Sequence, residues 1–399
     1  MNAPHPPATP DASPAGPPAY TRWQLVRYML ALGTWGFGGP VALAGYMYRD
    51  LVEQRRWISD ADYKDGLALA QLMPGPLAAQ LAMYLGFVHY RFGGATAAGV
   101  AFVLPSFAMV VALGAAYAAF GGIGWMQSVF YGVGAAVIGI IAISAYKLTS
   151  KSVGKDRLLW PIFGVSAAVT VSTQSEQVWL FLAAGVLVWL WRAPPAWLRG
   201  GRLHGVAAPV AGLFATGAID WARLQQIGLY FAYAGSFVFG SGLAIVPFLY
   251  GGVVKEYGWL TERQFVDAVA VAMITPGPVV ITTGFIGYLV AGFWGAVVAA
   301  VGTFVPCYLF TVIPAPYFKK YGKRPDVIAF VDGVTAAAIG SIAGAVIVLG
   351  QRSITDWITA ALALATAAVL WRFKKIPEPA IVAVAAVIGL LVHPLISHS

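Results

Sequence analysis

Charged side chains are scarce in this sequence. Asp, Glu, Lys and Arg make up 10% of its 399 residues, whereas a soluble domain carries about a quarter. Apolar and aromatic residues account for 59%, and the mean hydropathy is +0.74. So few charges cannot cover the surface of a soluble globule of this length. The composition therefore predicts an integral membrane protein.

Cysteine and histidine are also scarce, which excludes several kinds of site. Cys307 is the only cysteine, so no intramolecular disulfide can form, and its apolar surroundings favour a packing role over a reactive thiol. The five scattered histidines form no His-Glu-x-x-His motif, and no Gly-x-x-x-x-Gly-Lys-Ser/Thr loop for ATP is present. We therefore predict no enzyme activity, no metal site and no cofactor.

The basic residues of the chain lie mainly in short loops between apolar runs. The net charge is +9, but no basic stripe suits a nucleic acid, so no nucleic-acid partner is predicted. By the positive-inside rule the most basic loops should be cytoplasmic; these are 147–157, 191–204, 318–325 and 371–375. The start of the chain, rich in Pro and Ala, lacks the basic start and apolar core of a signal peptide. It is predicted to be a disordered cytoplasmic tail.

An internal repeat runs through most of the chain. The two copies are offset by 202 residues, as from Gly33 to Gly235, and by 201 residues after a one-residue gap, as from Pro105 to Pro306. The best-matched segments are 33–40 with 235–242, 74–76 with 276–278, and 138–139 with 339–340. Chance similarity between apolar helices would not keep Pro-Gly-Pro in register. The sequence therefore predicts two homologous halves.

Each half holds six runs long enough to cross a membrane, which takes about 20 apolar residues. The predicted spans are 24–47, 63–90, 94–119, 126–147, 158–173 and 177–192, then 222–250, 264–291, 293–317, 327–350, 356–372 and 377–395. The run 205–219 is shorter, and is interpreted as a thirteenth span or an interfacial helix. The predicted fold is thus all-α and polytopic, with about 12–13 transmembrane segments.

The basic loops also predict the orientation of each half. They place the N-terminus in the cytoplasm, loop 191–204 inside and residue 220 outside, so the chain must cross the membrane between them. The predicted organisation is a tail (1–21), an N-terminal half (22–204), a connecting segment (205–221) and a C-terminal half (222–399). The second half is then inverted relative to the first, which is a common plan of secondary transporters, and the C-terminus is periplasmic.

Proline and glycine interrupt two helices in each half. Pro74-Gly75-Pro76 and Pro276-Gly277-Pro278 fall near the middle of a predicted span, and Gly38-Gly39-Pro40 and Gly240-Ser241-Gly242 interrupt the preceding one. Broken helices at membrane depth are tolerated only where they are buried or line a cavity. Each break frees backbone N–H groups that attract anions. We predict that the four breaks meet and bind an anion; packing kinks are the alternative.

Polar side chains beside the breaks could donate hydrogen bonds to an oxyanion. Gln71 and Gln80 flank the first Pro-Gly-Pro, and Thr275 and Thr282 flank the second. Thr283 follows directly, and Thr34 and Ser236 precede the glycine breaks at matched positions. Hydrogen bonding between neighbouring helices is the alternative role for each.

Four charged residues are candidates for attracting the anion or coupling its movement to an ion gradient: Arg49, Asp50, Asp65 and Asp267. Arg49 could instead pair with Asp50 or extend to the membrane interface. Asp65 and Asp267 each precede a Pro-Gly-Pro, and acids within membrane spans suggest proton relays. Their alternative role is to stabilise a helix N-terminus.

The order and spacing of these motifs are distinctive. Phe37-Gly38-Gly39-Pro40 precedes Gly45-Tyr46, Arg49 and Arg56-Trp57, and Gln71-Leu72-Met73-Pro74-Gly75-Pro76 follows with Gln80 four residues on. Over residues 22–395 the chain resembles the long, two-half members of the chromate ion transporter family. The resemblance implies export of chromate across the bacterial inner membrane, driven by the membrane potential or a proton gradient, and hence chromate resistance.

The chain departs from this family pattern at two places. Many relatives carry a histidine shortly after Gly-Gly-Pro, where this chain has Leu43, and hydroxyl residues after Pro-Gly-Pro, where it has Leu77, Ala78 and Ala79. Sulfate or another oxyanion as substrate, and an anion channel, therefore stay open as alternatives. The predicted partners are chromate or a sulfate-like oxyanion and the lipid bilayer, and a homodimer is compatible with this plan.

Overall fold

A computed structural model describes residues 19–36, 39–120, 124–173, 177–194, 221–238, 245–321, 324–373, 376 and 378–397. Almost all of the predicted tail, the run 205–219, and Gly38, Gly240, Ser241 and Gly242 lie outside these residues. Within them every regular element is helical, as the sequence predicted.

The described part of the first half contains seven α-helices and one π-helical segment. The helices are α1 (Arg22–Trp35), α2 (Gly39–Met47), α3 (Asp60–Leu72), α4 (Leu77–Phe120), α5 (Gly124–Ser152), α6 (Leu159–Thr173) and α7 (Val178–Arg192), with the π-helical Tyr48–Gln54 between α2 and α3. Pro40 is the second residue of α2, where its fixed φ and missing N–H suit the first helical turn.

The described part of the second half repeats this order. Its helices are α8 (Trp221–Gly235), α9 (Ile245–Leu249), α10 (Glu262–Ile274), α11 (Thr282–Val312), α12 (Ala315–Tyr321), α13 (Pro325–Ser353), α14 (Trp357–Arg372) and α15 (Glu378–Ser397). A π-helical segment (Tyr250–Glu256) follows α9, and a 3₁₀ turn (Val279–Ile281) precedes α11.

Four helices of the described residues are long and apolar enough to cross a membrane: Leu77–Phe120, Gln127–Ser150, Val279–Phe318 and Pro325–Gln351. Shorter apolar helices accompany them at Leu159–Thr173, Trp179–Arg192, Trp357–Arg372 and Pro379–Pro394. The architecture is that of a multi-pass membrane protein.

Both long helices α4 and α11 are hairpins joined by a sharp kink. The backbone leaves helical geometry at Arg91 (φ 51°) in α4 and at Gly292 (φ 62°) in α11. The two arms of each hairpin then pack closely, since a Cβ on Gly86 would lie 2.3 Å from the carbonyl oxygen of Gly94. The shorter arm of each hairpin runs from the Pro-Gly-Pro break to the kink. The kink therefore sets the position of that break relative to the longer arm.

The two halves exchange helices. Helices α6 and α7 of the first half pack on α13 of the second, and α14 and α15 of the second half pack on α5 of the first. Glycines permit the close approach: a Cβ on Gly340 would lie 2.3 Å from the Phe163 carbonyl oxygen, and one on Gly139 would lie 2.5 Å from that of Ala363. The halves therefore form one interlocked body.

Helices α4 and α11 run antiparallel where they meet. The Thr96 hydroxyl lies 2.9 Å from the Tyr308 hydroxyl, and Tyr308 is the repeat counterpart of Phe107, about 16 Å further along α4. If the two helices were parallel and related by a twofold axis, each residue of α4 would lie level with its own repeat counterpart on α11. The axis relating the halves is therefore perpendicular to these helices, which is the geometry of inverted repeats.

Candidate functional site

The first Pro-Gly-Pro break lies against the second half of the protein. The Gly75 N–H donates to the carbonyl oxygen of Val238 at 2.5 Å, and Val238 lies two residues before the predicted 240–242 break. Gly75 has φ 146°, a backbone conformation that favours glycine. We call this contact, with Pro74, Pro76 and Gln80 around it, the first junction.

The second Pro-Gly-Pro break lies against the first half in the same way. The Gly277 N–H donates to the carbonyl oxygen of Gly36 at 3.3 Å, and Gly36 is the repeat counterpart of Val238. The Ser106 hydroxyl donates to the Pro276 carbonyl oxygen at 2.6 Å. Together with Pro278 these residues form the second junction. Each Pro-Gly-Pro break thus contacts the opposite half at the segment that leads to its glycine break, while Gly38 and residues 240–242 lie outside the described residues.

Helix α4 begins at the first junction with free backbone donors. The first N–H groups of an α-helix have no intrahelical acceptor, and among the described residues none accepts from Leu77, Ala78 or Ala79. All three residues are buried. The second junction differs, because a 3₁₀ turn (Val279–Ile281) precedes α11 and the Ile281 N–H donates to the Pro278 carbonyl oxygen at 3.0 Å. The richer set of anion donors is therefore at the start of α4.

Gln80 closes the first junction from within its own half. Its Nε2 donates to the Pro74 carbonyl oxygen at 2.7 Å, and the side chain is 0% exposed. Its Oε1 is buried and has no hydrogen-bond partner among the described residues. At the second junction the corresponding carbonyl oxygen, that of Pro276, accepts a hydrogen bond from Ser106, which belongs to the opposite half. The two junctions are thus alike in backbone and different in side chains.

The hydroxyl residues near the breaks donate within their own helices. Thr275 Oγ1 donates to the Ala272 carbonyl oxygen at 3.1 Å, and Thr282 Oγ1 donates to that of Val279 at 2.7 Å. Thr283, Thr34 and Ser236 do likewise, with Val280, Leu30 and Ala232 as acceptors. Since each hydroxyl has one proton, none is available to an anion in this conformation. Gln71 is exposed at the end of α3.

Asp267 and Asp65 occupy matched positions with different surroundings. Both are the sixth residue of their helix, so the role of stabilising a helix N-terminus does not apply, because that effect is confined to the first turn. Ser59 and Thr261 cap the two helices instead. Asp267 is 3% exposed and accepts a hydrogen bond from Tyr117 of the opposite half at 2.7 Å. Asp65 is half-buried.

Arg49 and Asp50 lie away from both junctions in the π-helical segment. Arg49 Nε lies 3.0 Å from Asp50 Oδ1, and its guanidinium stands over the Tyr46 ring at 5.4 Å. Tyr28 also donates to Asp50, at 3.2 Å. The structure therefore contains the Arg49–Asp50 ion pair. No described contact joins this pair to a break.

Two residues that the sequence argument passed over, Ser106 and Tyr117, hold the halves together. The repeat contained a signal for both, because Ser106 stands where the second half has Cys307, and Tyr117 stands where it has Phe318. At both positions the polar side chain donates a hydrogen bond to the opposite half, Ser106 to Pro276 and Tyr117 to Asp267. Among the described residues, no cluster of His, Cys, Asp or Glu could hold a metal ion.

Comparison with known proteins identifies the family of the chain. A family profile described as chromate transporter matches residues 23–199 and 225–390. A chromate transport protein of Cupriavidus metallidurans is 72% identical over 403 residues, covering 100% of both chains. A probable chromate transport protein of Synechococcus elongatus is 61% identical, covering 94% of this chain and 96% of the relative.

More distant relatives extend the comparison. A chromate transport protein of Pseudomonas aeruginosa is 31% identical, covering 86% of this chain and 85% of the relative. No solved structure matches the chain. On the strength of the profile match across both halves and these full-length relatives, the chain belongs to the chromate transporter family.

Proposed function

We propose that this protein is a secondary transporter that exports chromate across the bacterial inner membrane and so confers chromate resistance. The observation that carries the proposal is the bonding of each Pro-Gly-Pro break to the opposite half, with the Gly75 N–H donating to Val238 and the Gly277 N–H donating to Gly36. Irregular backbone inside a membrane protein is typical of a substrate site in inverted-repeat transporters. The two relatives described as chromate transport proteins support chromate as the substrate.

The binding chemistry is that of a backbone cradle. Free N–H groups at the start of a helix, together with the helix dipole, favour a tetrahedral oxyanion without a cationic side chain. The start of α4 supplies such groups at Leu77, Ala78 and Ala79. The remaining candidates for the site are the residues of the two junctions and the neighbouring Gln71, Thr275 and Thr282, with Gly38, Gly39, Pro40 and Gly240, Ser241, Gly242 completing the breaks.

Alternating access follows from the way in which the halves are linked. At each junction one backbone hydrogen bond crosses between the halves, and Ser106 adds another at the second junction; net contributions of such bonds are about 1 kcal/mol each. Motion of one half against the other can therefore open one junction while the other stays closed. We propose that the two junctions open to opposite sides of the membrane, with the N-terminus in the cytoplasm and the C-terminus in the periplasm.

Coupling to a proton gradient is assigned to Asp267. It is the buried acid at a matched position, and its bond to Tyr117 links the two halves. Buried acids in membrane spans commonly serve proton relays. Arg49, already paired with Asp50, is assigned to attracting the anion at the membrane surface.

The test is uptake of radiolabelled chromate by everted inner-membrane vesicles, with and without the protein. An imposed potential and an imposed pH gradient are applied separately, since the one that drives uptake identifies the coupling. Energised uptake above the empty-vector control is expected. If correctly inserted protein takes up no chromate, export of chromate is refuted, and sulfate becomes the next substrate to test.

A further inference from the structure

Two apolar grooves lie side by side on the outer surface of the longer arm of α4. Thr96, Val100 and Leu104 form an exposed ridge between them, because a spacing of four residues places side chains on one helix face. The groove on one side, about 520 Å³, is walled by α1 and is called the α1 groove. The groove on the other side, about 340 Å³, is walled by α11 and is called the α11 groove. Both open to the bilayer, since Val100 and Val301 are more than half exposed.

Polar groups lie at one end of both grooves. Arg22, the first residue of α1, lines the α1 groove, and a Cβ on Gly93 would lie 3.4 Å from its Nη1. Its guanidinium therefore lies against the start of the ridge. The Thr96 hydroxyl lies 2.9 Å from the hydroxyl of Tyr308, which lines the α11 groove. None of the ion pairs of the described residues includes Arg22, so its charge is available to a ligand.

This arrangement fits the shape and the charge of a phospholipid with two acyl chains. An arginine guanidinium binds phosphate through parallel N–H donors, and the ridge separates two apolar channels that begin beside it. From Thr96 to Phe107, the last α4 residue that lines the α11 groove, the helix rises about 16 Å. That rise is about half of a hydrocarbon core of about 30 Å. The grooves are therefore about as long as one leaflet is thick.

The internal repeat shows that the polar end is specific to the first half. The apolar residues recur, as Val100 with Val301 and Leu104 with Val305. The residues at the polar end do not recur: Arg22, Arg91, Gly93 and Thr96 have the counterparts Leu224, Gly292, Trp294 and Val297. A charged headgroup therefore finds this set of partners in one leaflet only, and the basic loops predict that it is the cytoplasmic leaflet.

The charge at the polar end selects among headgroups. Among the described residues that line the two grooves, none is acidic, so the ammonium of a zwitterionic headgroup would meet Arg22 without a carboxylate to receive it. An anionic headgroup brings only the charge that an arginine attracts.

We propose that the two grooves hold one anionic diacyl phospholipid. Its phosphate lies on Arg22, its glycerol lies beside the Thr96–Tyr308 hydroxyl pair, and one acyl chain lies in each groove. Because the α11 groove is formed by long helices of both halves, the bound lipid contacts both halves at once. This site is separate from the two junctions, and it does not depend on which ion the protein transports.

Native mass spectrometry of the purified full-length protein tests the proposal, because it records bound lipids and the oligomeric state together. Delipidated protein in detergent is titrated with phosphatidylglycerol, or with phosphatidylcholine that carries the same acyl chains. The first phosphatidylglycerol should bind about fivefold or more tightly than phosphatidylcholine, as expected for one arginine near an anionic headgroup. Equal binding of the two lipids would indicate ordinary boundary lipid and would overturn the proposal.

Arg22→Gln tests the headgroup contact, with Arg27→Gln as the matched control. Arg27 is also exposed on α1, but it lies about 140° around the helix from Arg22 and lines neither groove. Arg22→Gln should weaken the first phosphatidylglycerol about fivefold and leave phosphatidylcholine unchanged, whereas Arg27→Gln should bind as the wild type does. An equal loss in both variants would mean that general surface charge attracts the lipid, and the site would be refuted.

Val301→Trp tests the acyl-chain contact by filling the α11 groove. Val165→Trp on α6 is the matched control, because Val165 is similarly exposed and lines neither groove. The first phosphatidylglycerol should bind more weakly to Val301→Trp and normally to the control. Undiminished binding to Val301→Trp would place the chain elsewhere and overturn the assignment.

A second copy of the chain is the other occupant that could cover the grooves. A lipid-free species of two chains that Val301→Trp dissociates would show that occupant and refute the lipid site. If Arg22→Gln fails to fold, the preference of the wild type between the two lipids and the result for Val301→Trp still decide the question.

Discussion

At the scale of single residues, the candidate site depends on two glycines whose backbone no other residue adopts easily. Gly75 has φ 146° and Gly277 has φ 92°. There is also no room for a side chain at Gly277, since an added Cβ would lie 2.0 Å from Ser106 Oγ. The conformation and the contact both exclude a side chain at the break.

Gly75→Ala and Gly277→Ala should therefore abolish most transport. Each adds backbone strain of about 1–3 kcal/mol and displaces a neighbour in the junction. Gly45→Ala is the control, because Gly45 lies in α2 with no atom within 4 Å of its added Cβ. Vesicle uptake and thermal unfolding in detergent are the measurements. Normal uptake by both junction variants, at normal expression, would show that the breaks are only packing kinks.

Ser106 is the second residue whose replacement has a specific expected result. Ser106→Ala leaves the buried Pro276 carbonyl oxygen without its donor, which costs about 1–3 kcal/mol and should lower the midpoint of thermal unfolding. Ser106→Cys introduces the residue type of the repeat counterpart, Cys307, and should lower the unfolding midpoint less than Ser106→Ala does. Equal unfolding midpoints for wild type and Ser106→Ala would contradict this role.

At the scale of elements, close helix contacts depend on glycines at matched positions of α5 and α13. Gly132 and Gly139 on α5 approach Ala385 and Ala363, and Gly340 on α13 approaches Phe163. In each case the added Cβ would lie within 2.5 Å of a carbonyl oxygen. Small residues let membrane helices pack closely where the hydrophobic effect gives no drive.

Gly340→Leu should separate α13 from α6 and destabilise the protein. Overpacking of a close contact costs about 1–3 kcal/mol, which a thermal unfolding measurement would detect. Gly164→Leu on α6 is the matched control, because its Cβ would meet no atom within 4 Å. A smaller loss of stability for Gly340→Leu than for Gly164→Leu would count against this packing.

At the scale of the whole molecule, the exchange of helices makes the halves interdependent. Helices α6 and α7 pack on α13, and α14 and α15 pack on α5, so neither half buries its own long helix alone. Arg192 at the end of α7 also donates to Asp332 of α13 at 2.6 Å. Motion between the halves must therefore take place within an interlocked bundle.

Inversion of the halves has a direct test by cysteine labelling. In a Cys307→Ser background, Lys155→Cys and Thr355→Cys place single thiols in repeat-equivalent loops. A membrane-impermeant maleimide applied to intact cells should label Thr355→Cys only, because inverted repeats put equivalent loops on opposite sides. Labelling of both variants, or of neither until the cells are opened, would contradict inversion.

The Tyr117–Asp267 bond is the side-chain link with the clearest consequence for coupling. Asp267→Asn removes the ionisable group and should abolish uptake driven by a pH gradient, while chromate exchange at equal pH continues. Asp65→Asn is the matched control and should keep both activities. Gradient-driven uptake by Asp267→Asn at the wild-type rate would exclude Asp267 from coupling.

The fold class, the duplication and the positions of the Pro-Gly-Pro breaks could be predicted from the sequence. In a bilayer, a long apolar run satisfies its backbone N–H and C=O groups by forming a helix. A Pro-Gly-Pro motif interrupts such a helix at the place where it occurs. The family also followed from motif order, since Gly39-Pro40 and Pro74-Gly75-Pro76 are local features of the chain.

The partners of the two Pro-Gly-Pro breaks, and the polar groups beside them, became known from the packing of the helices. The internal repeat does not show whether α6 and α7 pack on their own half or on the opposite one. Nor does it show that Gln80 donates to Pro74 at one junction whereas Ser106 donates to Pro276 at the other. Hydroxyls such as Thr275 and Thr282 were plausible donors from sequence, but in a helix their protons reach a carbonyl of the preceding turn. Partners of this kind depend on contacts between residues far apart in the chain, and local sequence does not encode them.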